Sequence, residues 1–484
     1  MMTRRFQLLM AGMITVTMIL FAVNGQSQKI WTLEDCIEYA LANNLDINRQ
    51  VLTVEANKAT VLQSGLNMLP NLNVGATNTW NFGQTIDMYT NTFANTTVRS
   101  NNFYISSNVT LYGGMQKLNT YKANKINLLA SQYDLDLIKD NISLGVASYY
   151  LEMLFNQELL NVAEEQLRIT TSQQERIEKL VEAGSSARGD LLNIQAQKAL
   201  EEQTVVEARN RLNLSSLSLQ QLLEIPVTPD FQIEKPNLKP VQAPTEKITS
   251  EIIFEKAVKV RPQIKSAELR VDYAKRRLAI ARGYVQPTLT FGGSWGTGYS
   301  GAAKEVDPTI NSVTKWMPVG ITKNSLDTVY MPQTTYGYRV KSFEDQLKDN
   351  SNQSIGFNLN IPIFNGWSGR TAIKQAKIQH SQAEIDLGIQ TRNLRKEIEQ
   401  AYTNAVGALK KYNASDERVK AQEEAFKYAQ QKFDVGVMTA YDYNTSKKDL
   451  TKSQSELLQA KFDFIFRTTI LDFYVGNPIR IERQ

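Results

Sequence analysis

Residues 102–114 read Asn-Phe-Tyr-Ile-Ser-Ser-Asn-Val-Thr-Leu-Tyr-Gly-Gly, and residues 354–366 read Ser-Ile-Gly-Phe-Asn-Leu-Asn-Ile-Pro-Ile-Phe-Asn-Gly. In the first stretch Phe103, Ile105, Val109 and Leu111 alternate with Asn102, Tyr104, Ser106, Asn108 and Thr110. In the second, Ile355, Phe357, Leu359, Ile361 and Ile363 alternate with Gly356, Asn358, Asn360 and Pro362. A period of two gives a strand one apolar and one polar face. Both stretches end at glycine, and both run straight into long sequence with a helical rhythm. They lie 252 residues apart with the same parity, so the chain is a duplicated strand-to-helix unit.

The register extends far in both directions. At the offset of 252, Lys122 falls on Lys374, Tyr150 on Tyr402, Gly184 on Gly436, Asp190 on Asp442 and Pro226 on Pro478. Upstream the offset becomes 217, with Ala40 on Ala257, Pro70 on Pro287 and Gly75 on Gly292. The second copy therefore carries 35 extra residues between Gly292 and Ile361. Five of the 13 prolines lie in the 19 residues from Pro226 to Pro244, which reads as an extended linker. These boundaries predict a first repeat over 26–225, a linker over 226–247 and a second repeat over 248–484.

Each copy opens with a helix of about 30 residues. The first begins in a capping-box-like start, with Thr32 at the cap and Asp35 three residues on. Strands beginning at Pro70 and Pro287 supply partners for the two stretches above, giving hairpins over about 70–112 and 287–364. The intervening loops are rich in Asn, Thr and Gly. From about Met115 to Ala183, and from about Gly369 to Val435, proline-free sequence predicts two very long coiled-coil-like helices. Leu135, Ile138, Ile142, Val146, Tyr149 and Met153 form the apolar stripe of the first. At ~1.5 Å per residue each would reach roughly 100 Å. Both break at glycine, in Gly184-Ser-Ser-Ala-Arg-Gly-Asp and Gly436-Val-Met-Thr-Ala-Tyr-Asp, and each break is followed by an antiparallel return helix. The chain is thus read as α+β, with four amphipathic strands. Four strands cannot close a barrel, and an open sheet in lipid leaves backbone groups unpaired. Three chains would supply twelve strands, an even number in the usual range, so a homotrimer is expected.

The N-terminus has the order of a secretory signal peptide over 1–25. Arg4 and Arg5 precede an apolar centre from Leu8 to Val23, with Gly25 and Ser27 beyond. The chain is therefore expected to be exported. Later segments do not reach the ~20 continuous apolar residues of a spanning helix. Hydrophobic content of 42% and charged content of 21% exclude a disordered chain and a polytopic helical membrane protein. A net charge of +5, with both signs interleaved along the helices, gives no nucleic-acid footprint. One cysteine, Cys36, cannot close an intramolecular disulfide, and with one histidine, His380, zinc spacing is impossible. His380 sits in helical sequence with no nucleophile motif nearby. Gly296-Thr-Gly-Tyr-Ser-Gly fits a dinucleotide-binding spacing, but no helix follows, so its glycines read as a barrel strand entering an external loop. Ser312 and Lys315 have the spacing of acyl-serine enzymes without the accompanying motifs. Catalytic, cofactor and metal sites are therefore not expected. Trp80 and Trp295 read as core residues or membrane-interface anchors, and their place near strands favours the interface.

The layout resembles the TolC-like outer-membrane efflux family over nearly the whole mature chain. The resemblance rests on Trp-Thr-Leu-Glu-Asp-Cys-Ile-Glu-Tyr-Ala-Leu-Ala-Asn-Asn from Trp31 to Asn44, Leu-Pro-Asn-Leu at 69–72, Ile-Pro-Ile-Phe-Asn-Gly at 361–366, and the duplicated glycine turns. It implies a trimeric 12-stranded β-barrel in the outer membrane of a Gram-negative bacterium, continuous with a periplasmic α-helical barrel. A periplasmic adaptor and an inner-membrane pump would dock at the helical tips. The tip and gate residues that it implies are Gly184, Asp190, Phe433, Gly436 and Asp442. Asp442 matches a pore-constricting aspartate, Asp190 is its counterpart, and Phe433 matches a position that is often aromatic. The chain departs from the pattern at Met438, where some members carry a gate arginine, and at Thr445, where some carry a second aspartate. An acidic ring on a three-fold axis would favour cations. Asp190 and Asp442 also sit near helix starts, where an aspartate serves as an N-cap, and the two roles can coexist. The expected function is a passive exit duct for small molecules or proteins in a tripartite efflux or type I secretion system. The alternative is a non-conducting periplasm-spanning scaffold or adaptor.

Overall fold

The computed structural model describes residues 30–95, 97–235 and 249–479. The expected signal peptide and residues 236–247 of the expected linker lie outside them. A short strand, β1 (Ile30–Trp31), leads into helices α1 (Leu33–Asn43) and α2 (Leu45–Leu66). Strands β2 (Asn73–Asn81), β3 (Gln84–Ile86), β4 (Phe93–Asn95) and β5 (Val98–Gly113) follow. Next come the helices α3 (Gln116–Glu182) and α4 (Arg188–Leu222), then β6 (Gln232–Ile233). The second copy has α5 (Ser250–Val260), α6 (Pro262–Gly283), β7 (Thr288–Ser300), β8 (Lys304–Val306), β9 (Val313–Ile321), β10 (Thr328–Thr335) and β11 (Tyr338–Val340). It ends with α7 (Phe343–Asp349), β12 (Asn352–Asn360), α8 (Ser368–Asp434) and α9 (Ala440–Tyr474). Among the described residues no helix is long and apolar enough to cross a membrane. Two compact units divide the chain. One holds the described residues through Asn57, Asn127–Val271 and those from Ala383; the other holds Lys58–Ile126 and Asp272–Gln382.

The first unit is helical. Leu33 and Cys36 of α1, Val146, Tyr150 and Leu154 of α3, Leu219 of α4, and Phe462 and Ile465 of α9 share one buried core. Each such side chain contributes about 1.5–3 kcal/mol by leaving water. The capping box at the start of α1 is present: the Asp35 amide donates to Thr32 Oγ1 at 3.0 Å, and the Thr32 amide donates to Asp35 Oδ2 at 3.1 Å. Each opening helix, expected as one piece, is two. The breaks fall at Asn44 and Arg261, equivalent positions 217 residues apart. Pro262 forces the second break, because a residue before proline is pushed to extended geometry; Arg261 has ψ 129°. At the first break Asn44 has ψ 132° and its side chain accepts from the amides of Asp46 and Ile47, capping the next helix. The stripe on α3 also differs from expectation by one residue. Tyr150 is buried rather than Tyr149, and its hydroxyl donates to the Glu234 carbonyl at 2.7 Å. The same segment, just past Pro226, pairs β6 in parallel with β1.

The second unit is built on a four-stranded sheet in the order β12-β7-β5-β2, antiparallel throughout. Residues opposite one another share a face. One face carries Leu359–Leu289–Tyr112, Phe357–Phe291–Val109, Ile355–Gly293–Ser107 and Trp295–Ile105–Val74 across the strands. The other carries Ser354–Ser294–Ser106–Asn73, Asn358–Thr290–Thr110 and Gly356–Gly292–Asn108. The first face is apolar and open: Ile355 is 79%, Val74 74% and Phe357 69% exposed. Trp80 and Trp295 lie on it, so neither is a core residue. Two expected positions move. A bulge between Thr110 and Tyr112 puts Tyr112, not Leu111, opposite Leu289. In the second copy the strand ends at Asn360, leaving Ile361 and Ile363 beyond it, because Pro362 has no amide to donate. The 35-residue insertion is structured rather than a plain loop: β9 and β10 form a hairpin of their own, exposed along nearly its whole length. Gly296 and Gly298 lie in β7, which leads into that excursion as expected.

Candidate gate at the helical turns

The two helical hairpins turn on the same local chemistry. Gly184 has φ +72° and Gly436 φ +77°, a left-handed geometry that glycine adopts without strain. The amides of Ser185 and Gly184 donate to the carbonyls of Leu180 and Val181, and those of Val437 and Gly436 to Lys432 and Phe433. These paired bonds satisfy the last carbonyls of α3 and α8 and stop each helix sharply.

Each return helix then starts over an aspartate. Asp190 and Asp442 both stand at the third helical position, so neither is the N-cap residue that the sequence allowed. Thr439 caps α9: its hydroxyl accepts from the Asp442 amide at 3.1 Å and donates to the Asp442 carboxylate at 2.7 Å. Ala187 holds the cap position of α4, where Asp190 accepts from the Ser186 hydroxyl at 2.9 Å and the Ala187 amide at 3.3 Å. Both carboxylates lie where a helix dipole favours negative charge.

Side chains from different hairpins meet beside these turns. Arg176 of α3 pairs with Asp434 of α8 at 2.8 Å. Gln173 of α3 donates to the Tyr443 hydroxyl of α9 at 2.6 Å. The Tyr443 ring is buried against Phe433, stacked at 4.6 Å between centroids, and Phe426 at 5.4 Å. Burial pushes the Tyr443 phenol up from its ordinary value, against the hydrogen bond from Gln173. One turn further along, Lys447 of α9 is buried. It donates to Thr170 Oγ1 at 2.6 Å and the Gln166 carbonyl at 3.3 Å, with Glu201 of α4 at 3.7 Å. Burial pulls the Lys447 ammonium below its ordinary value while Glu201 supports the charged form.

A cleft of about 840 Å³ runs beside these contacts. Asp190, Phe433, Gly436 and Met438 line it, with Arg176, Gln173, Asp434 and Tyr443. The expected residues thus divide: Asp190, Phe433 and Gly436 share the cleft, whereas Gly184 and Asp442 are outside its lining, and Asp442 is exposed. Reasoning from the sequence missed Gln173, Arg176, Tyr443, Lys447 and Glu201. The repeat does not single out the last three, since most matched positions of the two copies differ. At the offset of 252, Tyr443 matches Leu191, Lys447 matches Gln195 and Glu201 matches Ser453.

The sequence model of the outer membrane efflux protein family matches residues 36–224 and 253–465. Outer membrane protein TolC of Vibrio cholerae is 24% identical over 345 residues, 70% of this chain and 68% of the relative. Proteases secretion protein PrtF of Dickeya chrysanthemi is 22% identical over 471 residues, 95% of this chain and 91% of the relative. Among solved structures, the outer membrane protein VceC from Vibrio cholerae superposes with a TM-score of 0.72 at 16% identity, over 93% of this chain and 97% of that one.

Proposed function

The chain belongs to the outer membrane efflux protein family, and from that premise we propose that it is an outer-membrane exit duct that conducts cargo without altering it chemically. One observation carries the reading. The four-stranded sheet has an exposed apolar face, a face of Ser, Thr, Asn and Gly, and unpaired edges at β2 and β12. The apolar face suits lipid and the polar face suits a water-filled lumen. The edges run in opposite directions, so β12 of one copy can pair antiparallel with β2 of the next. Three copies would close twelve strands with no edge left in lipid. Their helices would form a second barrel on the periplasmic side, each chain contributing two repeats, 26–225 and 248–484, joined by 226–247.

On this reading the helical turns form the gate. Arg176–Asp434 and Gln173–Tyr443 join the two hairpins of a chain and hold them together. Asp442, exposed at the start of α9, supplies a ring of three carboxylates around the axis. An inner-membrane pump and a periplasmic adaptor engage the turns, supply the energy and separate the hairpins. The relatives named for protease secretion and for TolC support a duct of either secretion or efflux type.

The test is single-channel conductance in a planar bilayer beside Asp442→Ala. A small cation-selective conductance that rises in the variant is expected. Equal conductance would keep the duct and leave Asp442 a helix-start residue alone. No conductance from inserted, folded oligomers would favour a non-conducting scaffold and overturn the proposal.

A further inference from the structure

Strands β2, β5 and β7 reach one common end of the sheet at Asn81, Val98 and Ser300, while helical segments join the chain at the other end. Two excursions leave from that far end, one described over residues 82–95 and the other over residues 301–351. They fold onto opposite faces of the same sheet. In the longer one, Phe343 of α7 packs edge-on against Phe103 at 6.3 Å and against Tyr299 at 5.5 Å, both on the apolar face.

The shorter excursion goes to the polar face. Gly298, Asn102 and Thr77 form one row of that face, and Ser300, Ser100 and Thr79 the next. The Tyr89 hydroxyl lies 3.3 Å from Asn102 Oδ1. A Cβ added at Gly298, which would project from the polar face, would fall 1.7 Å from that hydroxyl oxygen. Tyr89 therefore occupies the space that the missing Gly298 side chain leaves. Two residues earlier, Asp87 is buried and accepts from the Ser300 hydroxyl on the same face. Asp87 also accepts from the Thr90 amide at 2.8 Å, the Thr90 hydroxyl at 2.9 Å and the Tyr89 amide at 3.2 Å, so one carboxylate both shapes the turn and pins it to β7. Beyond the pins, Phe82, Ile86, Met88 and Phe93 remain exposed.

We infer that the 82–95 segment folds into the lumen at the mouth far from the helices and forms a second constriction, pinned to β5 and β7 by Asp87 and Tyr89. The inference rests on the duct reading, because the polar face becomes a lumen wall only when copies close the barrel. Three copies would bring the exposed Phe82, Ile86, Met88 and Phe93 of each chain to one opening. A narrowing of that kind lets water and small ions pass and hinders wide solutes. The pins lie within one chain and share no residue with the helical turns, so this mouth is set separately from the gate. It would limit large cargo, a polypeptide above all, more than a small molecule.

Cysteine accessibility in intact cells tests this, with Cys36 buried and silent. Ser294→Cys reports the polar face below the constriction, and Asn324→Cys, at the exposed turn between β9 and β10, reports the cell surface. A small maleimide should label both. A long polyethylene-glycol maleimide should label only Asn324→Cys, until Asp87→Ala with Tyr89→Ala unpins the segment and raises its rate at Ser294→Cys by about tenfold or more. Should that pair impair folding, as judged by Asn324→Cys labelling and the oligomer band, Ser300→Ala removes one donor and should raise the rate in the same direction. Equal labelling of Ser294→Cys by both reagents with the pins intact would overturn the constriction and leave the duct standing. No labelling there by the small reagent even with the segment unpinned would overturn the duct reading itself.

Discussion

Removing the two contacts that join the hairpins nearest the turns should favour the open channel without pump or adaptor. The perturbation is Tyr443→Phe with Arg176→Ala. The first keeps the ring stacked on Phe433 and deletes the hydroxyl that accepts from Gln173 at 2.6 Å, a loss of about 1 kcal/mol. The second deletes the 2.8 Å pair with Asp434, whose side chains are 57% and 46% exposed, so solvent screening limits it to about 0.5 kcal/mol. If three chains open together the losses add around the ring to about 4.5 kcal/mol. At about 1.4 kcal/mol per tenfold, that shifts the closed-to-open ratio by roughly three decades. The assay is conductance in planar bilayers, with the oligomer checked on a native gel. Arg418→Ala is the control, because its pair with Glu456 joins α8 to α9 within one hairpin and need not break on opening. Unchanged conductance in an intact double variant would refute the reasoning, as would an equal rise in the control.

Other outcomes follow from single contacts. Lys447→Met should lower the melting temperature, because it leaves the half-buried Glu201 without its cation, whereas Lys447→Met with Glu201→Gln should change it little. Tyr150→Phe should lower stability by about 1 kcal/mol in thermal unfolding, since the hydroxyl's 2.7 Å bond to the Glu234 carbonyl is lost. Acid should release the 82–95 segment. Burial alone would raise the Asp87 carboxyl, but hydrogen bonds from Ser300, Thr90 and Tyr89 outweigh it and hold it below its ordinary value of 3.8. A carboxyl with a depressed folded pKa contributes stability that is complete above the unfolded value and is lost as pH falls through the folded one. Protection of the Tyr89 and Thr90 amides, measured against the intrinsic exchange rate at each pH, should therefore fall only below pH 3.8, while Asp87→Asn should show the lowered protection already at neutral pH.

How much of this could be read from the chain depends on how local each cause is. The long helices end within one residue of expectation, because Gly184 and Gly436 stop them through bonds reaching only three to five residues back. The strands and their faces were visible in the alternation around Phe103 and Phe357, which the pleat imposes residue by residue. The breaks at Asn44 and Arg261 were half visible: Pro262 announces one, whereas the other rests on an asparagine that caps the next helix. Tyr150 displaced Tyr149 because a helical stripe drifts over a long helix, so adjacent tyrosines cannot be told apart by period alone. The contacts at the turns were hidden. Arg176 and Asp434 are 258 residues apart, Gln173 and Tyr443 are 270 apart, and Asp87 and Ser300 are 213 apart. No local pattern encodes pairs so distant.

An open sheet edge cannot rest in lipid, so β2 and β12 leave a single chain no stable inserted form. Insertion and assembly would then be one event, and every subunit must offer both edges intact. With the proposed homotrimer, random mixing in a cell making two alleles at equal levels would leave only about one assembly in eight free of the altered subunit. A proline that blocks either edge strand would therefore act as a dominant-negative allele, whereas loss of the same gene copy would be recessive.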